Sequence, residues 1–424
     1  MLTATDLLTP DADLPSRDLH LDPWSAAVRF GRLLGDPPAG VIPRGLVRSK
    51  YRIGESLRVV HRFEIDGRTV TATARLFRDG NALAAFEKSA RVSPEGTVLH
   101  DPECDAVWWM FPTDRRMRRA AEVMHPSTDL AFDVGLPGWA HSEVAEYAPE
   151  RSLTVRAADD RSSTLAFVKL YAPDTVDSSV FADRYRRVAD WFADGHDDVS
   201  TPRVLGRSSD GALLALSPLP GWSWRSVSSG QLDRVLHGLG AAIAHLHHLP
   251  ISADDRPFGR LQIERVVHSA ELVGRARPET SSRLEAVAER WASRARPGGE
   301  QVLLHGDCHP NNTLVDDGRL SLIDLDQAGV GSPAADIASF LARLSHGVVL
   351  GDMRTDRADQ LADAFLAGYA EVRRLPDDDD LRWHRVAALI AERSIRAVNR
   401  VDTRALEHLD ALVDLIVAEG DQLR

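Results

Sequence analysis

Three oxygen-bearing side chains stand at fixed spacing late in the chain: Asp307, Asn312 and Asp324. Gln301–Leu304 has the pattern of a short apolar strand running into His305-Gly306-Asp307. Thr313–Val315 and Leu320–Ile323 form two more strands around an Asp316-Asp317-Gly318 turn, so all three side chains come to one mouth. A carboxylate placed there can orient an attacking hydroxyl and take its proton, and an Asp with an Asn can offer oxygens to Mg²⁺. That is the equipment of phosphoryl transfer. Turn-capping Asp and Asn would use the same residue types, but three in order between apolar strands fit chemistry better. His305, Asp307, Cys308 and His309 are also metal-ligand types, yet they crowd into five residues with no second cluster to complete a tetrahedral zinc site.

Lys169 lies far upstream in Phe167-Val168-Lys169-Leu170-Tyr171. A lysine flanked by apolar strand residues costs desolvation unless an anion meets it; an edge-strand surface lysine is the plainer alternative. The preceding turn, Ala148-Pro149-Glu150-Arg151-Ser152, has no glycine, so it is neither a Gly-rich kinase loop nor a Walker P-loop. The apolar strand Leu213–Leu216 ends in Ser217-Pro218-Leu219-Pro220-Gly221.

His-Gly-Asp, then Asn five residues after the Asp, then Ile323-Asp324, resembles the signature of aminoglycoside phosphotransferases and their choline- and sugar-kinase relatives. The Asp-to-Asn gap equals that of the protein-kinase catalytic loop. Gly329–Ala338 is also similar, with Ser332 where an Asp is usual, and the resemblance reaches upstream over residues 142–221. It implies an ATP- and Mg²⁺-dependent kinase with Asp307 as catalytic base and Asn312 and Asp324 as metal ligands. Asp336 would brace the catalytic loop and His305 would pack beneath it. Lys169 would meet the α- and β-phosphates, Asp183 stands where relatives carry the lysine's Glu partner, and Ser152 would touch phosphate. Backbone groups near Ser217 and Leu219 would bind adenine. The implied acceptor is a small molecule with a hydroxyl: an aminoglycoside, amino sugar, sugar or related natural product. The same groups would serve a Ser or Thr in a peptide. A catalytically silent nucleotide-binding scaffold is a third reading, opposed by the intact set Lys169, Asp307, Asn312 and Asp324. Acids placed to meet an acceptor are Glu371, Glu392 and the run Asp377–Asp380, which has the composition of a solvated loop.

The elements that must position these groups suggest an α+β architecture of strands followed by helices, and the resemblance makes it a bilobal protein-kinase-like fold. Residues 1–45 are a polar lead-in with one amphipathic helix near Trp24–Leu34. A β-rich, cap-like module follows over 46–125, with Asp66-Gly67 as a hairpin turn. A linker (126–141), a nucleotide-binding lobe (142–221) and a helical lobe (222–424) complete the chain. Helices are expected at Leu232–His248, Ser282–Ser293, Ala358–Val372, Leu381–Val398 and Ala405–Glu419. The two β-rich stretches look duplicated. Tyr51, Ser56, Leu57 and Val59 recur as Tyr147, Ser152, Leu153 and Val155, and Arg75 falls at the position of Lys169. The first copy, lacking its own catalytic loop, is not expected to be a second ATP site.

Across the 424 residues, 63 acidic side chains outnumber 51 basic ones for a net charge of -12, which argues against a nucleic-acid backbone as partner. It is compatible with a cationic substrate. No apolar run is long enough for a membrane span, and two cysteines without a secretory start suggest a reduced, cytoplasmic protein.

Overall fold

A computed structural model describes residues 3–35, 40–173, 178–195, 198–294 and 299–423. The chain divides into two compact units. One holds Met1–Ser178, Leu205–Leu216 and Val398–Thr403; the other holds Ser179–Val204, Ser217–Ala397 and Arg404–Arg424.

The first unit is built on two five-stranded sheets. β1 (Val41–Arg52), β2 (Ser56–Ile65), β3 (Arg68–Phe77), β4 (Val98–Asp101) and β5 (Ala106–Met110) make one sheet, ordered β1-β2-β3-β5-β4. β6 (His141–Ala148), β7 (Ser152–Ala158) and β8 (Thr164–Tyr171) begin the next. After a helix, Ser178–Ala193, and the short β9 (Val199–Ser200), β10 (Val204–Arg207) and β11 (Leu213–Leu216) complete it in the order β10-β11-β8-β7-β6. Read from the other edge, this is the same order. A helix, Ala82–Ala90, also follows β3 as Ser178–Ala193 follows β8. The repeat seen in the residues is therefore a repeat of topology. Asp66 and Gly67 both have positive φ, as the two-residue hairpin between β2 and β3 requires.

Arg75 on β3 and Arg58, its register partner on β2, both ion-pair with Glu150 in the β6–β7 turn; Arg115 joins them. Arg75 and Arg115 approach to 2.7 and 2.5 Å. The turn closes with Arg151 N–H donating to the Ala148 carbonyl, which puts Pro149 and Glu150 at its centre. Glu150 has φ +59 where such a turn favours glycine. Its N–H donates to Asp114, which also accepts from Tyr147 Oη. Ion pairs thus hold a backbone conformation that the missing glycine would have supplied freely.

The first copy extends further upstream than its composition suggests. β1 starts at Val41, and Leu7, Leu8, Leu14, Leu21 and Phe30 are buried. Phe30 lies against Phe63 of β2 and Trp108 of β5.

The second unit is mainly helical. β12 (Trp222–Ser223) pairs with β14 (Thr313–Asp316), which pairs with β15 (Arg319–Leu322) and so with β9; β13 (Val302–Leu304) pairs with β16 (Gly329–Gly331). The helices Leu232–Leu246 and Thr355–Val372 pack so closely that a Cβ on Gly240 would meet the Phe365 carbonyl at 2.0 Å. The expected helix Leu381–Val398 is corrected in two ways. It begins at Asp378, because Asp377 caps the helix by accepting from Asp380 N–H and the following acids sit at the positive end of the dipole. The Asp run is a helix start, not a solvated loop. The helix then widens into a π turn, Leu389–Ser394, before continuing over Ile395–Arg400. The expected last helix is likewise two, Thr403–Glu407 and Leu409–Asp421, and Ile263–Ala276 is a helix not expected from sequence. Among the described residues no helix is long and apolar enough to cross a membrane.

Burial works against ionisation of Glu150, but Arg58, Arg75 and Arg115 outweigh it and hold its carboxyl below the usual range. Removing one partner of such a buried group costs about 3–5 kcal/mol. Glu150→Gln should therefore lower the unfolding free energy of this unit by roughly 3 kcal/mol in urea titrations at pH 7. The difference should shrink as pH falls below about 4, because a depressed folded pKa adds stability only where the carboxylate is ionised. An unchanged midpoint would show that the turn does not need its clamp.

Candidate active site

Asp336 begins the site from beneath. It lies in the first turn of the helix Ala334–Val349, is 2 % exposed, and accepts from His305 N–H (2.7 Å) and Gly306 N–H (2.9 Å). His247 Nε2 lies 3.2 Å from the same carboxylate, and its Nδ1 is 2.8 Å from Tyr369 Oη. Burial alone would raise this carboxyl, yet His247 and the backbone N–H groups hold it below the ordinary range. Gly306 turns with φ +75, and a Cβ there would meet the Gln327 carbonyl at 2.3 Å, so only glycine fits between strand and loop.

Asp307 follows, and a chain of hydrogen bonds leads from it to Asp324. Asn312 Nδ2 donates to the Asp307 carbonyl (3.0 Å), which commits the donor end of the amide and leaves Oδ1 as its ligating end. Ile323 N–H donates to the Asn312 carbonyl (2.9 Å) where β14 and β15 pair. Asp324 is the next residue. It has φ 63 and ψ 62, a left-handed conformation that Asp adopts more readily than most residues other than glycine. It is held there because Leu325 N–H donates to Tyr185 Oη (3.0 Å) and the Leu325 carbonyl accepts from Arg184 (3.0 Å). These hydrogen bonds tie Asp307, Asn312 and Ile323 into one connected stretch, with Asp324 adjoining it.

Around Asp307 the charges are mostly positive. Arg260 Nη1 lies 3.2 Å from Asp307 Oδ1 and 3.3 Å from Glu392 Oε1. Burial opposes ionisation of Asp307, but Arg260, with Arg396 and Arg343, holds its carboxyl well below the usual carboxylate range. His309 Nε2 is 3.6 Å from Asp307 Oδ2, while its Nδ1 accepts from Asn311 N–H. Burial and then Arg343 push His309 down to about 4, so it is neutral at pH 7. His305 Nδ1 accepts from Asp307 N–H and its ring is fully buried, the packing role its resemblance implied. Cys308 is buried, and burial pushes its thiol up. Among the described residues the metal-type cluster is elsewhere, at His20, Asp101 and Cys104, where Arg29 already occupies the carboxylate.

The remaining sequence candidates divide. Glu392 is buried and accepts from Ser339 Oγ (2.5 Å), and Arg393 pairs with it (3.1 Å). Glu371 is exposed and meets His237. Ser332, in place of the usual Asp, donates to Asp380 and accepts from Ala334 N–H, shaping the entry to the helix. Asp183 is exposed and pairs with Arg186 one turn along (2.6 Å). Lys169 on β8 lies between Thr154 of β7 and Leu214 of β11, and is partly buried. Ser152 opens β7 opposite Tyr171. Ser217 has both its N–H and its Oγ engaged by the main chain of Arg203, and Leu219 is partly buried. Sequence reasoning missed Arg260, Arg343 and Arg396, which come from separate segments and carry no motif.

No curated protein matches this sequence. Solved structures do. A streptomycin–ATP ternary complex of APH(2")-IIa is 15% identical, covering 69% of this chain and 96% of its own, with a TM-score of 0.46. Macrolide 2'-phosphotransferase MphH from Brachybacterium faecium is 21% identical, covering 70% and 98%, with a TM-score of 0.43. A thermostable mutant of APH(4)-Ia is 18% identical, covering 67% and 96%, with a TM-score of 0.49. The family model for the phosphotransferase enzyme family, APH, matches residues 150–389, a span from the clamped β6–β7 turn through the whole Asp307–Asp324 site. With more than half its length so matched, and with the matched residues joined by hydrogen bonds at one place, this chain belongs to the phosphotransferase enzyme family.

Proposed function

We propose that the protein transfers the γ-phosphoryl group of ATP to a hydroxyl of a small molecule, with Asp307 facing that hydroxyl. The observation that carries this reading is the hydrogen-bonded path from Asp307 through Asn312 to Ile323, with Asp324 next in line. The donor set, one amide oxygen and one carboxylate, suits Mg²⁺. When bound by Asn312 Oδ1 and Asp324, the ion supplies positive charge against the phosphates.

Asp307 orients the acceptor hydroxyl and receives its proton. A carboxylate held so far below its ordinary range is a weak base, which suits a loose transition state in which the nucleophile attacks before it has lost much of its proton. Neutral His309 keeps a second proton acceptor away from competition only in the sense that its Nδ1 is already filled by Asn311 N–H. Lys169 is assigned to the α- and β-phosphates. Only three lysines occur among the 51 basic residues, Lys50, Lys88 and Lys169, so a lysine among apolar strand residues is not this chain's habit. Ser152, Asp183, Ser217 and Leu219 are assigned to the nucleotide by their resemblance, Ser217 through its carbonyl because its N–H is taken.

Asp307→Asn should reduce kcat by about 10²–10⁴-fold with ATP affinity little changed. Turnover within a fewfold of wild type, followed by ADP release, would remove Asp307 from this role. Asp324→Ala should instead weaken Mg²⁺ dependence and nucleotide binding together, read by titrating Mg²⁺ at fixed ATP. An unaltered metal titration contradicts its assignment as ligand. If ATP neither binds nor turns over with a panel of sugars, aminoglycosides and Ser- or Thr-bearing peptides, the silent scaffold is the better reading.

A further inference from the structure

Four guanidinium groups, those of Arg260, Arg343, Arg393 and Arg396, act on just two carboxylates, Asp307 and Glu392. Two of the four are accounted for. Arg260 bridges Asp307 and Glu392 and also donates to Gln327 Oε1, and Arg393 pairs with Glu392. The other two are not. Arg343 Nε is buried with no hydrogen-bond partner among the described residues. Neither Arg343 nor Arg396 has a carboxylate within ion-pair distance among the described residues; each feels Asp307 and Glu392 only at longer range. Burial, and then the like charges of Arg393 and Arg396, push Arg343 down to about 9. It is still ionised at neutral pH, in surroundings that disfavour its charge.

Their placement is built, not incidental. Arg343 stands one turn after Ser339 on the helix Ala334–Val349, and Ser339 is the residue that holds Glu392. Same-face spacing therefore aims Arg343 toward the same carboxylate cluster. Arg393 and Arg396 come from the π turn Leu389–Ser394 and the turn after it, and such widened turns recur at functional sites. Leaving this excess positive charge beside Asp307 is costly unless an anion arrives. A cationic aminoglycoside would be repelled.

Resting on the kinase reading above, we infer that the acceptor is a hydroxy compound bearing a carboxylate or phosphate, which Arg343 and Arg396 hold beside Asp307. The cationic substrate allowed by the net charge of -12 gives way to an anionic one, because the local charge next to the base has the opposite sign from the whole chain.

The test uses full-length enzyme and four acceptors that differ chiefly in charge: gluconate, glucose 6-phosphate, glucose and glucosamine. With Mg-ATP, the two anions should show kcat/KM at least about tenfold above the others, the scale of one charge-assisted hydrogen bond. Preference between gluconate and glucose 6-phosphate tells carboxylate from phosphate. Arg343→Gln and Arg396→Gln should raise the KM of the preferred anion by roughly tenfold or more, with a smaller change in the KM for ATP. Arg343→Lys, which keeps the charge, should recover part of the loss. Equal or better use of glucose or glucosamine overturns the proposal. So does a rise in the KM for ATP alone, which would assign these arginines to the nucleotide. Should none of the four turn over, thermal shifts without nucleotide still decide. Stabilisation by gluconate or glucose 6-phosphate that is lost in Arg343→Gln upholds the anion site, and its absence in wild type rejects it. Failure of the kinase reading is registered separately, as absence of ATP binding.

Discussion

The site depends on one buried carboxylate. Asp336 lies under the loop that carries Asp307 and takes two successive backbone N–H groups, those of His305 and Gly306. A lone carboxylate in that position would be neutralised by protonation. Here the N–H groups and His247 make the ionised form the favoured one, and the negative charge in turn fixes where the backbone runs. Everything downstream inherits that position. Gly306 can make its turn against Gln327 only from there, Asp307 follows, and Asn312 and Ile323 carry the same register to Asp324. Each link after Asp336 involves a backbone group, so the arrangement depends on few side-chain identities.

The other unit solves a similar problem with the same device. Glu150 is also a buried carboxylate that fixes a loop, but its partners are guanidinium groups: Arg58 and Arg75 from the sheet that repeats the topology of its own, and Arg115 from the segment after β5. Arg75 occupies in β3 the place that Lys169 occupies in β8. Of the two equivalent basic positions, one is a lysine and the other is part of a clamp on the β6–β7 turn. This gives the first sheet a purpose that does not require a second nucleotide site. It also explains how the turn does without glycine: the ion pairs offset the left-handed conformation of Glu150, which costs on the order of 1–3 kcal/mol.

What was legible in the sequence is what is encoded within a few residues. Asp307, Asn312 and Asp324 fall close together in the sequence, after β13, before β14 and after β15, so a short-range pattern could pick them out. The duplicated sheets were visible because strand patterns repeat at a nearly constant offset. The misreadings have physical causes of their own. The run Asp377–Asp380 has a loop's composition, but four acids also suit the first turn of a helix, and position relative to the dipole, not composition, decides between them. The π turn at Leu389–Ser394 leaves no mark on the apolar periodicity of the segment, since it adds its extra residue inside a buried stretch. The arginines near Asp307 were illegible for a different reason. They come from positions 260, 343 and 396, and only the folded chain brings their charges to bear on one carboxylate.

Net charge says little about the site for the same reason. Electrostatic interactions fall away over about 8–10 Å at physiological salt, so the sum of 63 acids and 51 bases describes how the molecule meets others at a distance, not what its site prefers. At the scale of the site, Arg260 lies 3.2 Å from Asp307, and its charge counts for more than many remote carboxylates. The same short range explains how one set of arginines can serve two ends. They hold Asp307 ionised, so its carboxylate can accept a hydrogen bond but not donate one. Under the anionic-acceptor proposal they also leave positive charge for the acceptor to meet. In the proposed reading, a base kept weak by its neighbours and a site attractive to anions would not be separate adaptations; each would follow from crowding guanidinium groups around a carboxylate that stays charged.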